Sequence, residues 1–247
     1  MTEVLGIDVG GSGIKAALVD VQAGQLVTER FRVPTPQPAT PSNMSSSVRE
    51  LMTNFDYSGP IGCCFPSVII KGVAFTAGNI SEDWIGTSVE DEFAKATGQR
   101  VVALNDADAA GVAEMGLGAG RELDGMVLTL TIGTGIGSAL YYNGVLVPNT
   151  EIGHMLGPDG KPIEQYAGDR ARKLNELDWP EWGERFQVFL QRTIRVLTPD
   201  HIILGGGVSK KWDRFSEYVD VRVPIHIAEH RNNAGIIGAA LEAQRLA

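Results

Sequence analysis

The segment Val4–Lys15, with the sequence VLGIDVGGSGIK, combines a short apolar run, a glycine-rich turn and the start of a second apolar run. The first run is too short for a helix, and apolar residues resume at Ile14, so the pattern predicts a strand, a turn and a strand. Glycines in such a turn let backbone amides approach an anion closely. A tight hairpin that binds nothing would need the same glycines. The residues that could face an anion are Asp8, Gly10, Gly11, Ser12, Gly13 and Lys15.

A second segment, Met126–Leu140, repeats this arrangement as MVLTLTIGTGIGSAL. Two strand–turn–strand units about half a chain apart predict two related lobes, each with a phosphate-binding hairpin. A third glycine turn, Gly205–Gly207, follows a strand predicted at residues 201–204 and is another candidate anion site. We expect a helix to begin at residues 209–211, where two lysines near its N-terminus would suit a polyanion. The candidate residues of these two turns are Thr131, Gly133, Thr134, Gly135, Gly206, Gly207, Lys210 and Lys211.

The composition is that of a globular protein with an acidic balance. The chain has 247 residues, 43% of them hydrophobic, and its 30 acidic and 21 basic side chains give a net charge of −9. This charge argues against a general binder of nucleic acid or of membrane surfaces. No segment resembles a signal peptide or is long enough to span a bilayer. We therefore predict a cytoplasmic protein with neither a nucleic acid nor a membrane partner.

The two cysteines, Cys63 and Cys64, are adjacent in an apolar run that is predicted as a strand. Because no other cysteine is present to complete a ligand set, we expect no structural zinc site. Both side chains are predicted to be buried in the core.

Polar residues between the two hairpins are candidates for ligand binding. Asn79 lies in a polar loop with Trp84, and an amide beside an aromatic ring suits a hydroxylated ligand, although Asn is also a common turn former. Asn105 and Asp106 follow a strand predicted at residues 101–104 and precede an alanine-rich helix. Asp106 is either the N-cap of that helix or a general base at the carboxyl end of a strand, and its position supports both interpretations equally.

Glu151 and His154 lie three residues apart in the segment NTEIGH. Both can face one site if the segment turns helically. Together with Asn79 and Asp106 they form a set of side chains that can donate to or accept from sugar hydroxyls.

Four further helices follow from periodicity and capping signals. The first extends to about residue 54 with Ser42 or Asn43 as its cap, and the second runs from Glu164 to about Asn175. An amphipathic helix over residues 182–197 carries aromatic residues expected in the core or at a subunit interface. The last helix covers residues 234–246.

The motifs DVGGSGIK, Asn105–Asp106, TIGTGIGSAL, NTEIGH and GGGVSKK occur in the order and at the spacing of the ROK family of sugar kinases, within the actin-like ATPase superfamily. The resemblance runs from Leu5 to the final helix, and within the family the chain is most similar to the polyphosphate glucokinases. Many ROK proteins carry a cysteine-rich zinc site after the glutamate–histidine motif. This chain has GPDGKPIEQYAG there, as expected of the polyphosphate branch, so His154 should contact sugar rather than metal.

The resemblance implies an α/β fold with two lobes, each with a ribonuclease H-like sheet, and a central cleft between the lobes. By this analogy residues 1–106 and the helix 234–247 form the smaller lobe, and residues 107–233 form the larger one. The larger lobe usually carries a dimer interface, so a homodimer is expected.

The resemblance also implies a reaction. Asp106 would take the proton from the 6-hydroxyl of glucose as that oxygen attacks the terminal phosphoryl group of inorganic polyphosphate, with ATP left open as a second donor. The hairpins would hold the donor, with Mg²⁺ held through Asp8 and water. The residues that would hold the sugar are Asn79, Asn105, Asp106, Glu151, His154 and Glu164.

Three alternatives differ in their requirements. An ATP-dependent glucokinase, or another hexose kinase such as one for mannose, would need an adenine pocket near the third glycine turn. A sugar-sensing repressor of the same family would have a helix-turn-helix domain before the first strand, and none is expected here. A polyphosphate or nucleotide hydrolase would not need the NTEIGH set.

Overall fold

The computed structural model describes residues 3–245 as a mixed α/β protein. Its strands are β1 (Glu3–Gly10), β2 (Gly13–Asp20), β3 (Gln25–Leu26), β4 (Phe31–Val33), β5 (Ile61–Phe65), β6 (Ile69–Ile70), β7 (Val73–Ala74), β8 (Val101–Asn105), β9 (Met126–Ile132), β10 (Ile136–Tyr142), β11 (Val145–Val147), β12 (His201–Gly205) and β13 (Ile225–Ile227). Its helices are α1 (Pro41–Met52), α2 (Val89–Thr97), α3 (Asp106–Leu117), α4 (Glu164–Ala167), α5 (Asp169–Leu174), α6 (Trp179–Leu197), α7 (Gly206–Ser209) and α8 (Ala234–Arg245).

The chain divides into two compact units. One unit runs up to Ala113 and resumes at Asn233, and the other spans Glu114–Asn232. The first unit contains a six-stranded sheet with the order β3-β2-β1-β5-β8, to which β4 adds by pairing with β2. The second contains a five-stranded sheet with the order β11-β10-β9-β12-β13. The lobes predicted from the sequence, residues 1–106 with 234–247 and residues 107–233, stay a prediction.

The two sheets share one pairing pattern. In the first, β1 is antiparallel to β2 and parallel to β5, which is parallel to β8. In the second, β9 is antiparallel to β10 and parallel to β12, which is parallel to β13. Each sheet therefore contains an antiparallel hairpin, with two parallel strands added beside the first strand of that hairpin. The two strand–turn–strand units predicted from the sequence are present.

Helix α8 packs on the first sheet with its backbone almost against the strands. A Cβ added to Gly6 would collide with the backbone oxygen of Ile236, and one added to Gly62 would collide with that of Ala239. Glycine inside a strand marks such a close approach of another backbone. The final helix therefore covers β1 and β5. Residues 246 and 247, which were predicted to belong to this helix, lie outside the described part of the chain.

The opposite face of the first sheet buries an aromatic cluster. Phe65, Trp84 and Phe93 meet edge to face, with ring centroids 4.8 to 6.1 Å apart. The Trp84 ring is fully buried, and its Nε1 donates a hydrogen bond to the Ala39 oxygen at 3.1 Å. Trp84 is therefore a core side chain, and the pairing of Asn79 with an aromatic ring gives no support to a ligand-binding role for Asn79.

The core of the second unit forms around α6. This helix begins at Trp179, earlier than expected, because Asp178 and Glu181 form a capping box and Pro180 occupies the first turn. Phe186 and Phe189 are buried as predicted.

Several helix boundaries differ from the sequence-based expectation. The N-cap of α1 is Thr40 rather than Ser42 or Asn43, since Pro41 already starts the helix. The helix expected from Glu164 to Asn175 is interrupted at Gly168, which is extended. Lys210 follows the end of the four-residue α7, and Lys211 precedes a three-residue 3-10 turn, Trp212–Arg214. Neither lysine lies in the first turn of an α-helix, so the helix-dipole argument for them is wrong.

Cys63 and Cys64 are free thiols with no exposed surface, so the prediction that they are core residues is confirmed. No helix within residues 3–245 combines the length and the apolar character that a membrane crossing requires.

The close packing of α8 predicts a large cost for any side chain at Gly62. We expect Gly62→Ala to lower the free energy of unfolding by about 3 kcal/mol, because the added carbon must push the Ala239 backbone away. Urea denaturation measures this loss.

The matched control is Gly78→Ala, where the nearest atom to an added Cβ is the Pro66 oxygen at 3.8 Å. This variant should remain within about 0.5 kcal/mol of the unsubstituted protein. Equal stability of the two variants would contradict the packing argument.

Candidate active site

The first hairpin closes with a two-residue turn. Gly10 and Gly13 are register partners on β1 and β2, and Gly11 and Ser12 between them are exposed. Two side chains from β4 and the segment after it bind the backbone of the turn. Arg32 Nη2 donates a hydrogen bond to the Ser12 oxygen at 2.6 Å, and the buried Thr35 hydroxyl donates one to the Gly10 oxygen. The turn is therefore fixed while its tip remains open.

Asp8 lies beside the turn and has two partners. Its Oδ2 accepts a hydrogen bond from Lys15 Nζ at 2.8 Å, and its Oδ1 accepts one from Cys64 Sγ at 3.3 Å. Burial raises the pKa of the Cys64 thiol, and the neighbouring Asp8 carboxylate raises it further. The thiol therefore stays protonated and donates to the carboxylate.

The Asp8 carboxylate fits the water-mediated magnesium role expected from the sequence. Carboxylate oxygen is the ligand type that Mg²⁺ uses in proteins, usually through one or two carboxylates with substrate phosphates and water. Each Asp8 oxygen has one partner and can accept a second hydrogen bond, such as one from a metal-bound water. Among residues 3–245 no three or more His, Cys, Asp or Glu side chains are grouped so that they could hold a metal ion. Mg²⁺ at Asp8 would therefore need water or substrate oxygens as its other ligands.

Asn79 lies against the first hairpin. A Cβ added to Gly11 would be 3.0 Å from the Asn79 Cβ, and Asn79 itself is exposed. The structure thus brings the loop residue predicted to bind sugar next to the turn predicted to bind phosphate.

Asn105 and Asp106 lie at the carboxyl end of β8, and the two side chains differ in burial. The buried Asn105 accepts hydrogen bonds from the backbone N–H groups of Ala107 and Asp108 and donates to the Ser67 oxygen. Asn105 is therefore the residue that caps α3, and the interpretation of Asp106 as the N-cap is wrong. Asp106 is the exposed first residue of the helix, and its Oδ1 accepts from the Ala107 N–H at 2.8 Å.

The second hairpin has a three-residue turn, Gly133–Gly135, which Glu164 supports. Glu164 Oε2 accepts from the Ile136 N–H at 3.2 Å, and a Cβ on Gly135 would collide with the same oxygen. The structure therefore places Glu164 beside this hairpin. The predicted donor residues Thr131 and Thr134 lie on the same hairpin, at the end of β9 and in the turn.

Glu151 is the N-cap of a single 3-10 turn, Ile152–His154, and His154 is the last residue of that turn, as the helical-turn hypothesis required. This turn packs on the hairpin, because an added Cβ on Gly153 would collide with the Ile136 oxygen. Ile136 donates to Glu164 and faces Gly153, so the structure brings the segment of Glu151 and His154 close to Glu164.

Ser138 on β10 holds this segment in place. Its buried hydroxyl donates to the Thr150 oxygen and accepts from the Ile152 N–H at 3.1 Å. Glu151 lies between these two anchored residues. Sequence reasoning did not single out Ser138, although it belongs to the glycine-rich motif that carried the prediction.

The third glycine turn packs on the end of β9. Gly206 has a φ of +77°, and an added Cβ would collide with the Ile132 backbone, whereas nothing lies within 4 Å of one on Gly207. Gly206 therefore serves the packing and Gly207 is open. Lys210 and Lys211 are exposed directly after α7.

Arg32 is the second residue that sequence reasoning missed. It lies on the three-residue strand β4 and is the register partner of Lys15 on β2. A strand of this length has too few residues for an alternating pattern, so no signal in the sequence placed Arg32 at the hairpin.

A hairpin in each of two similarly built sheets, with carboxylates and amides beside it, resembles the arrangement of a phosphate-transferring enzyme of the actin-like ATPase type. The ROK family model matches residues 4–168. The chain belongs to the ROK family, and the prediction of an α/β fold of this type is confirmed.

Known relatives extend this assignment. The chain is 44% identical over 237 residues to the polyphosphate glucokinase of Mycobacterium tuberculosis, covering 96% of this chain and 89% of that protein. The crystal structure of the inorganic polyphosphate/ATP-glucomannokinase of Arthrobacter sp. strain KM superposes with a TM-score of 0.95, at 40% identity and with complete coverage of both chains. A ROK family glucokinase from Streptomyces griseus, solved with glucose and AMPPNP, has the same fold, with a TM-score of 0.82 at 23% identity and coverage of 98% and 99%.

Since the sequence predicts that Glu151 and His154 hold sugar, the anchoring of their segment by Ser138 predicts an effect on sugar binding. We expect Ser138→Ala to raise the KM for glucose about tenfold, because the buried Ile152 N–H loses its partner and the Glu151 segment loosens. Steady-state kinetics at saturating donor measures this change.

The control is Thr129→Val on the adjacent strand β9. The Thr129 hydroxyl is buried and has no hydrogen-bond partner among the described residues, so its loss should leave the KM for glucose unchanged. A normal KM for glucose in Ser138→Ala would contradict the anchoring role.

Proposed function

We propose that this protein is a polyphosphate-dependent glucokinase that transfers the terminal phosphoryl group of inorganic polyphosphate to the 6-hydroxyl of glucose. The observation that carries the proposal is the 44% identity to the M. tuberculosis polyphosphate glucokinase over nearly the whole chain. The geometry of each unit supports it, because each contributes a fixed, open hairpin with polar groups that suit a sugar or a phosphate.

Asp106 is the proposed general base. It is exposed at the carboxyl end of β8, and Asn105 relieves it of the capping role. In this proposal Asp106 accepts the proton of the sugar 6-hydroxyl while that oxygen attacks the terminal phosphorus, and the P–O bond to the remaining polyphosphate breaks. A positioned base of this kind accelerates a reaction by roughly 10² to 10⁴.

The remaining sugar hydroxyls are assigned to five polar side chains. Glu151 and His154, on the anchored 3-10 turn, can accept and donate hydrogen bonds to hydroxyl groups. Asn79 supplies an amide next to the first hairpin. Asn105 has committed its oxygen to α3, so only its second N–H is available. Glu164, which supports the second hairpin, completes the proposed set.

The donor phosphates are assigned to the glycine turns, where backbone amides can surround an anion without a side chain intervening. Bound Mg²⁺ would offset the charge that develops on the transferred group, with Asp8 oriented to it through water. The proposed donor residues are Asp8, Gly10, Gly11, Ser12, Gly13, Lys15, Thr131, Gly133, Thr134, Gly135, Gly206, Gly207, Lys210 and Lys211.

The proposal includes a cytoplasmic homodimer. Each subunit would consist of a smaller lobe, residues 1–106 with 234–247, and a larger lobe, residues 107–233. Two free, buried cysteines suit a reducing compartment. The structural likeness to a polyphosphate/ATP-glucomannokinase favours ATP as a second donor and mannose as a second acceptor.

The base assignment predicts a loss of turnover without a loss of structure. Asp106→Asn should lower kcat with glucose by about 10²-fold or more, because the hydroxyl proton then has no acceptor. Stopped assays for glucose 6-phosphate measure the rate, and circular dichroism checks the fold. Asp91→Asn, in the first turn of α2, removes a comparable exposed acid and should have wild-type kcat. Near-normal turnover of Asp106→Asn would refute the assignment.

The donor assignment predicts which mixtures react. With polyphosphate as donor, the protein should form glucose 6-phosphate, and ATP and mannose should support slower reactions. A coupled assay with each donor and sugar pair, together with a phosphate-release assay without sugar, separates the alternatives. Activity confined to ATP would leave an ATP-dependent hexokinase, and phosphate release that does not require sugar would indicate a hydrolase.

A further inference from the structure

Four side chains form a row across the first sheet. Arg32 on β4 is the register partner of Lys15 on β2, Lys15 is the partner of Asp8 on β1, and Asp8 is the partner of Cys64 on β5. Directly opposed residues on neighbouring strands project from the same face of a sheet. Two cations, a carboxylate and a thiol therefore follow one another beside the first hairpin.

The two cations of this row are in different states. The Lys15 ammonium is 2.8 Å from the Asp8 carboxylate, and both side chains are largely shielded from solvent, so its charge is already balanced. Arg32 is exposed, and none of the ion pairs found within residues 3–245 includes it. The available positive charge at this hairpin is therefore that of Arg32.

The guanidinium of Arg32 reaches the turn because Gly13 has no side chain. A Cβ on Gly13 would overlap the Arg32 guanidinium, with its Cζ only 2.8 Å away. One N–H of Nη2 donates to the Ser12 oxygen at 2.6 Å, which fixes the group on the turn. A guanidinium has five N–H donors, so four remain for another acceptor.

We propose that Arg32 is a donor-binding residue, which holds a non-terminal phosphate of the phosphoryl donor at the first hairpin. The inference rests on the proposed function, since it names a further contact for the same donor. A planar guanidinium suits phosphate because it can form two parallel charge-assisted hydrogen bonds. Polyphosphate presents an ionised group at every unit of its chain, so a fixed cation beside the turn gives it a contact that needs no nucleoside.

The competing interpretation is that Arg32 only supports the turn through Ser12. The two interpretations differ in whether the positive charge of Arg32 is needed. Gln at this position keeps an N–H group that can donate to the Ser12 oxygen but carries no charge. A support role therefore predicts near-normal donor affinity in Arg32→Gln, whereas a phosphate contact predicts weaker donor affinity.

The experiment uses the full chain with Arg32→Gln, Arg32→Lys and the control Arg49→Gln, which removes an exposed arginine near the end of α1. We expect Arg32→Gln to raise the KM for polyphosphate and for ATP about tenfold, with kcat within about threefold and the KM for glucose unchanged. Arg32→Lys keeps the positive charge but loses the planar group that can form two parallel hydrogen bonds, so the KM for each donor should be intermediate. Arg49→Gln should match wild type.

Calorimetric titration with inorganic tripolyphosphate measures binding directly. Arg32→Gln should weaken this binding about tenfold. Gly13→Ala, which displaces the guanidinium without removing its charge, should weaken it similarly and add little when combined with Arg32→Gln. Unchanged tripolyphosphate affinity and unchanged donor KM values in Arg32→Gln would overturn the proposal. If the wild-type protein used only ATP, the proposed function would fail, and the ATP kinetics and the titration would still decide the role of Arg32.

Discussion

The contact between helix α8 and strands β1 and β5 is the constraint on which the first unit depends. Gly6 and Gly62 admit the helix backbone, and without that approach the face of the sheet that it covers would lie open. The same approach brings Gly235, at the start of α8, to where an added Cβ would be 2.9 Å from Cys64 Sγ and 3.7 Å from Asp8 Cγ. The N-terminal end of α8, where the helix dipole is positive, therefore lies near the Asp8 carboxylate. Packing and electrostatics at the site have one origin.

In the second unit, glycines likewise allow other segments to pack closely against the hairpin. Gly153 lies on the Ile136 backbone, Gly206 lies on the Ile132 backbone, and Gly135 lies under the Glu164 carboxylate. In each case a segment from elsewhere in the unit touches the hairpin where a side chain would prevent contact. Glycine here sets the distance between segments as much as it supplies turns, and this explains why the glycine-rich motifs extend beyond the turns themselves.

The sequence predicted the hairpins and turns that carry the candidate site residues because those elements depend on residues close together in the chain. Apolar runs ending in glycine turns indicated both hairpins, and the spacing of Glu151 and His154 was compatible with the 3-10 turn that forms there. Features that depend on register or tertiary contact were not predictable. Arg32 reaches the hairpin only through strand pairing and the space at Gly13. The position of Trp84 depends on which face of the first sheet its loop covers, and the end of α7 at Ser209, just before Lys210, follows from no residue pattern in the sequence.

The return of α8 to the first unit also orders events during synthesis. Residues up to Ala113 leave the ribosome first, but the strands that carry Gly6 and Gly62 lack their covering helix until residues 234–245 have been made. The intervening residues, 114–232, hold all the strands of the second sheet. A nascent chain can thus complete its later unit before its earlier one, which reverses the usual order of folding from the N-terminus. Until then the apolar face formed by Val4, Ala17 and Val102 lacks the α8 side chains that pack on it in the folded protein.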